Sequence, residues 1–300
     1  MRVTRRAVMI GTAAALATPV LRPAAAEALS RRIPATGEPV PAVGIGSWIT
    51  FNVGDDPVLR AECRAVMAAF FEAGGGIVDS SPMYGSSQAV IGHALEALGH
   101  APGLFSADKV WTDGAGGRAQ IAETRRRWGV DRFDLLQVHN LVDWEANLDT
   151  LDAMKEAGRL RYTGVTTSHG RRHEALEQVM RRRPPDFVQL TYNILDREAE
   201  RRLLPLALER GIAVICNRPF QRGRLPERLA GRPLPGWASE IGVSTWPQFL
   251  LKFIISHPAV TSAIPATRQV EHVRENKSAA LGPMPDAAMR RRMAAHVESL

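Results

Sequence analysis

Cysteine, lysine and tyrosine are scarce in this chain, and each scarcity narrows what it can be. Among its 300 residues there are two cysteines, Cys63 and Cys216. One sits in a helical and one in a strand-like apolar pattern, which reads as two small buried hydrophobes rather than a disulfide framework. His, Cys, Asp and Glu nowhere fall at metal-ligand spacing, so no metal site is expected. The net charge is +7, but residues 1–26 hold Arg2, Arg5, Arg6 and Arg22 and no acid. Taking those four from +7 leaves +3 on the rest, too little to argue for a nucleic-acid partner. Past the first 26 residues there is no low-complexity segment, and no repeat beyond an alternation of strand-like and helical patterns. The glycine-rich fingerprint of a dinucleotide-binding open sheet is also missing, because V-G-I-G-S-W at Val43–Trp48 lacks the third glycine.

What is present begins with the leader. A basic start, an apolar stretch from Ala7 to Leu21 broken by Pro19, and small residues at Ala24, Ala25 and Ala26 form the pattern of an export signal. Thr4-Arg5-Arg6-Ala7-Val8-Met9 resembles a twin-arginine signal, with Val8 where Phe or Leu is more usual. The apolar stretch is short for a membrane span, and an uncleaved anchor is the alternative. The expectation is therefore residues 1–26 as signal peptide, residues 27–300 as one domain, a periplasmic or otherwise exported location, and membrane contact only through the export machinery.

From Ile33 to Val40 the pattern suggests a hairpin. After it, apolar runs of four to seven residues alternate with helical periods. Strands are predicted at 43–46, 76–80, 104–110, 133–139, 162–166, 187–192, 213–217 and 262–265. Helices are predicted at 57–73, 87–98, 118–128, 145–157, 171–182, 198–210, 245–256 and 270–280. Eight strand-then-helix units in about 250 residues predict an α/β fold of the closed (β/α)8 TIM-barrel type, preceded by a short N-terminal hairpin, with its chemistry on the C-terminal loops. A doubly wound open sheet is the runner-up. The arginine clusters at 125–127, 181–183 and 290–292 read as solvated cations that complement helix dipoles. The Pro/Gly-rich stretch Pro226–Gly236 reads as a rim loop.

Four residues fall at the ends of separate predicted strands or just beyond. Asp79 ends an apolar run, and Tyr84 follows five residues later in a Ser/Pro/Gly loop; Lys109 ends F-S-A-D-K-V and His139 ends F-D-L-L-Q-V-H. A charge at the end of a doubly buried strand needs a partner of opposite sign. Lys109 is one of only four lysines in a chain whose other basic residues are arginine, and a lysine pKa can be moved where an arginine pKa cannot. At these residues the sequence resembles the aldo-keto reductase family, whose active site is a Tyr/Lys/Asp/His tetrad. Further matches are V-G-I-G-S-W, M-K-E-A-G-R-L-R-Y-T-G-V and I-P-A-T-R-Q-V-E-H-V-R-E-N, so the resemblance spans roughly residues 33 to 281.

The resemblance implies reduction of an aldehyde or ketone by NADP(H), with NAD(H) as the alternative, and a small-molecule carbonyl as the partner. It implies Tyr84 as proton donor, Lys109 as the cation that lowers the phenol pKa, Asp79 holding that cation, and a neutral His139 orienting the carbonyl oxygen. It places Gln189 at the nicotinamide amide, Thr267 and Arg268 at the adenosine phosphate, and Glu275 and Asn276 at the adenine. Ser47, Trp48, Thr166 and Asn217 complete the implied cofactor contacts. Three positions depart from the family pattern: Thr166 and Thr167 replace a Ser-Asn pair, Asn217 replaces a stacking aromatic, and Ala266 replaces a lysine. Weaker cofactor binding or NADH use follows as an alternative, and so does a barrel that binds cofactor but turns over little. A non-redox barrel enzyme is the third alternative. Trp48 and Trp111 sit just past strand ends, where they can wall a substrate pocket or simply pack. Oligomeric state is left open.

Overall fold

The computed structural model describes residues 27–99 and 101–300; the expected export signal at 1–26 lies outside the described residues, as does His100. A hairpin of β1 (Ser30–Arg32) and β2 (Pro39–Pro41) comes first. Then follow β3 (Ile45–Gly46), α1 (Pro57–Glu72), β4 (Gly76–Asp79), α2 (Ser87–Leu98), β5 (Leu104–Val110), α3 (Gly114–Trp128), β6 (Phe133–His139) and α4 (Trp144–Glu156). The second half runs through β7 (Leu160–Thr166), α5 (His173–Arg182), β8 (Phe187–Thr191), α6 (Leu203–Arg210), β9 (Ala213–Asn217), α7 (Arg224–Leu229), α8 (Trp246–Ile255), β10 (Ser262–Ala263), α9 (Val270–Ser278) and α10 (Ala287–Glu298). Strands β3 to β10 pair in parallel and in chain order. Bridges between Val43 and Ala263 and between Gly46 and Ala266 bring the last strand back to the first. This is the (β/α)8 barrel expected from the alternation, with the hairpin beneath it.

Strand alternation divides the apolar residues into two cores. Inward residues Ile77, Phe105, Ala107, Leu135, Tyr162, Phe187, Ala213, Ile215 and Ile264 fill the barrel together with Ile33 and Val40 from the hairpin. Outward residues meet the helices in a larger layer around Phe70, Trp128, Leu148, Phe249 and Phe253. Tyr162 forms part of the barrel floor, its hydroxyl donating to Glu38 at 2.6 Å beside Thr36. Both cysteines are free and buried, as expected.

Several boundaries shift for identifiable reasons. Helix α3 starts at Gly114 rather than residue 118, because the Asp113 carboxylate caps it by accepting from the Gly116 N–H at 3.0 Å. A side chain at Gly114 would press on Ala146 of α4, so glycine permits the close approach. The helix expected at 198–210 splits into a 3₁₀ turn at Glu198–Arg201 and then α6, with Arg202 non-helical between them. Pro205 explains the break: inside a continuous helix it would lack an N–H and clash with the Arg201 carbonyl, whereas in the first turn of α6 it costs nothing. The stretch Pro226–Gly236 is less irregular than expected, since Pro226 belongs to α7 and Gly236 opens a 3₁₀ turn ending at Ile241. The solvated reading also fails at Arg290. Its guanidinium reaches Glu200 at 2.6 Å and the Phe253 carbonyl at 3.1 Å, and it bonds the Tyr192 hydroxyl, tying α10 to the barrel wall. Among the described residues no helix is long and apolar enough to cross a membrane, and no group of His, Cys, Asp and Glu could hold a metal ion.

Candidate active site

Alternation also fixes which polar residues face inward at the top of the barrel. Asp79 lies two positions after Ile77, Lys109 two after Ala107, and Gln137 and His139 follow Leu135. Thr166, Gln189 and Asn217 continue the inward faces of β7, β8 and β9. Every strand from β4 to β9 therefore turns from apolar to polar toward its C-terminal end. Room for Gln137 comes from Gly164 on the neighbouring strand, where a Cβ would stand 2.9 Å from the Gln137 Cγ.

Lys109 is completely enclosed, its ammonium 2.6 Å from Asp79 Oδ2 and donating to the Ser80 carbonyl at 2.7 Å. The other carboxylate oxygen, Oδ1, accepts from the side-chain amides of Gln137 at 3.2 Å and Gln189 at 2.9 Å. Burial alone would lower the Lys109 pKa, but the adjoining Asp79 carboxylate opposes it, and the pKa stands above its ordinary value. The cation therefore stays charged. The Tyr84 ring centroid lies 5.2 Å from the Lys109 nitrogen, and the ring stands perpendicular to the His139 imidazole at 5.9 Å. The four residues named from the sequence are thus brought together at one end of the barrel.

The phenol itself departs from expectation. Burial pushes the Tyr84 pKa upward, and the attraction of Lys109 opposes that shift without reversing it. With the Asp79 and Asp108 charges nearby also favouring the neutral form, Tyr84 is held as the protonated acid. His139 is pushed down to about 3, first by burial and then by the Lys109 charge, so it is neutral across the physiological range. A histidine whose folded pKa lies below its unfolded value near 6.5 leaves the unfolded chain to take up the proton first, so its share of the stability falls as pH drops from 6.5 toward 3. The wild type should accordingly lose more thermal stability between pH 6.5 and pH 4 than His139→Gln does. Melting scans at the two pH values check this, and equal losses would contradict a neutral buried His139.

A cavity of about 630 Å³ opens above this cluster and runs toward α9. Ser47, Trp48, Thr166, Gln189, Asn217, Thr267, Glu275 and Asn276 line it, together with Tyr84 and His139. Arg268 does not line it and is exposed beside Thr267. Asn276 Oδ1 is buried with no hydrogen-bond partner, so the groove presents an unanswered acceptor where the adenine is expected, and a dinucleotide fits the residues present. The inner end is more self-contained. The Gln189 amide nitrogen is committed to Asp79, Asn217 donates to the Thr167 carbonyl at 2.9 Å, and Thr191 donates to Asn217 at 2.7 Å.

Sequence reasoning missed three contributors. Gln137 sits two residues before His139, and the period-two rule could have put it on the same face. Ser81 lies 2.7 Å from His139 Nδ1. Arg222 follows β9, stacks on Trp48 after β3 at 4.2 Å, and reaches His169 after β7 at 3.1 Å, so it spans opposite walls of the mouth. Its φ of 63°, with 49° at Gln221 and 54° at Arg218, places three non-glycine residues of this segment in the left-handed region. Sequence patterns carry no signal for such a crossing.

A closed parallel barrel that gathers a buried carboxylate–ammonium pair, a phenol and a neutral imidazole at its C-terminal rim has its titratable groups where (β/α)8 proteins carry their sites. The chain belongs to the aldo/keto reductase family, whose model matches residues 42–296. It is 28% identical over 245 residues to the methylglyoxal reductase YeaE of Escherichia coli, covering 79% of this chain and 84% of that protein. Aldo-keto reductase AKR11C1 of Bacillus halodurans, solved in its holo form, superposes with a TM-score of 0.74 at 21% identity, covering 90% of this chain and 96% of that one. An aldo/keto reductase of Klebsiella pneumoniae in complex with NADP and acetate gives a TM-score of 0.72 at 24% identity, covering 87% and 93%.

Proposed function

We propose that this chain reduces an aldehyde or ketone to the alcohol with a nicotinamide dinucleotide held along the groove from Gln189 to Asn276. The observation that carries the reading is the Lys109 ammonium, sealed against Asp79 at 2.6 Å and facing the Tyr84 ring. The bound cofactor would supply the hydride. Reduction at carbon leaves negative charge on the carbonyl oxygen, and the chain's own residues answer it. Tyr84, kept protonated by its burial, is positioned to give up its proton as that charge develops. Lys109 then favours the resulting phenolate electrostatically, while Asp79 keeps the ammonium charged and in place. Neutral His139 supports the same oxygen from the side.

NADP(H) is the favoured cofactor. Thr267 and the exposed Arg268 stand where a phosphate ester would be received by a hydroxyl and a guanidinium. Ala266, in place of a lysine, and the self-bonded Gln189–Asn217 end favour looser binding or NAD(H). The substrate presents an apolar body, because Ile49, Met83 and Trp111 are exposed large hydrophobics around the mouth, at 60%, 39% and 42% of their full area. The leader at 1–26 adds to this reading an exported enzyme that takes up its cofactor before translocation. A second reading, a cofactor-binding barrel that turns over little, is favoured by the occupied amides of Gln189 and Asn217.

Fluorescence titration with NADPH and with NADH, followed by oxidation assays over aromatic, aliphatic and dicarbonyl substrates, separates these readings. Saturable NADPH binding with turnover of apolar carbonyls is expected. Binding without oxidation decides for the second reading, and no binding of either nucleotide overturns both.

A further inference from the structure

Neutral imidazole carries its single proton on either nitrogen, and only one choice lets His139 donate toward the cavity. Ser81 Oγ lies 2.7 Å from His139 Nδ1, and both residues are buried. The same Oγ accepts the Met83 N–H at 3.3 Å. Among the described residues, Nδ1 is the acceptor within reach of the Ser81 hydroxyl proton. Were the proton on Nδ1, the serine oxygen would accept twice while its own buried O–H pointed at no acceptor, which is costly. With the serine donating, Ser81 Oγ and His139 Nδ1 are both satisfied and the imidazole proton sits on Nε2, the nitrogen left free for a ligand. His139 lines the cavity, and none of its hydrogen bonds among the described residues involves Nε2.

We infer that Ser81 is a positioning residue that fixes His139 in the Nε2–H tautomer by donating its hydroxyl proton to Nδ1, so that the imidazole presents a donor to the carbonyl oxygen. The site is economical in sequence. Asp79, Ser80 and Ser81 are consecutive, and the three serve respectively the Lys109 ammonium by side chain, the same ammonium by carbonyl, and the imidazole by hydroxyl. One short segment at the end of β4 thus orients both groups that flank Tyr84. The geometry also explains why burial does no harm at His139: a neutral ring with both nitrogens assigned needs no counter-charge.

The consequence for rate rests on the carbonyl-reductase reading above, but the tautomer does not, and the test separates them. In substrate-free wild-type protein labelled with ¹⁵N-histidine, the ring signals that vanish in His139→Gln are expected to show Nε2 protonated and Nδ1 unprotonated. Protonated Nδ1 there would overturn the inference whatever the activity. In Ser81→Ala, kcat/KM for a carbonyl substrate should fall about tenfold, the scale on which orienting partners of functional histidines act. NADPH affinity should stay unchanged, and the ¹⁵N pattern should move toward a tautomer mixture. Ser81→Thr, which keeps the hydroxyl, should restore the wild-type pattern. An unchanged ¹⁵N pattern and unchanged kcat/KM in folded Ser81→Ala would sink the proposal.

Discussion

Replacing Tyr84 by phenylalanine is expected to lower kcat for carbonyl reduction by about 10²–10⁴-fold, the span that a positioned general acid contributes, while nucleotide affinity stays within about twofold of wild type. The phenyl ring keeps the contacts of the native ring with Lys109 at 5.2 Å and with His139 at 5.9 Å, so the substitution removes the hydroxyl and little else. Neither of the other tyrosines can stand in for it. Tyr162 is in the barrel floor bonded to Glu38, and Tyr192 is tied to Glu200 and Arg290 on the outer layer. Stopped-flow single turnover distinguishes loss of the chemical step from slow product release. A Tyr84→Phe enzyme with wild-type single-turnover rate would remove Tyr84 from the mechanism, whatever the cofactor does.

The pKa of Tyr84 shows where sequence reasoning stops. That an acid, a phenol, an ammonium and an imidazole follow successive strands was visible in the order Asp79, Tyr84, Lys109, His139. Strand period then puts Asp79, Lys109 and His139 on one inward face. Which way the phenol titrates was not visible, because it depends on how deeply the loop after β4 buries the ring, a property of the assembled rim rather than of the segment. The helix break at Arg202 was legible through Pro205, although the expected helix ran across it, whereas the Arg222 crossing was not legible. Pro205 acts through its own backbone, whereas Arg222 meets residues from loops more than 50 and more than 170 positions away. Helix starts fared in between. Asp113 is a visible cap, but the glycines after it mask the first turn unless the packing of α3 on α4 is known.

The second large effect is expected at Asp79. Its two oxygens accept from three donors: the Lys109 ammonium at Oδ2, and the amides of Gln137 and Gln189 at Oδ1. Asparagine matches the shape but carries an NH₂ on one side, so it must aim a donor either at the ammonium or at both amides. The buried Lys109 charge also loses its counter-ion. Removing one partner of a buried pair costs about 3–5 kcal/mol, against about 1 kcal/mol for an exposed pair. Lys109 can relieve the strain by releasing its proton, but then the cation that favours phenolate is gone. Asp79→Asn should therefore lose both stability and turnover. Asp79→Leu combined with Lys109→Met removes both charges and should melt higher than either single variant, yet stay inactive. That split separates the two roles of the pair, since stability answers to charge balance and catalysis to the ammonium itself. Denaturant midpoints for Asp79→Asn, the two single variants and the double variant, beside their kcat values, decide it. A double variant no more stable than Asp79→Asn would mean that the pair is held by packing rather than by charge, and an active one would mean that the ammonium is dispensable.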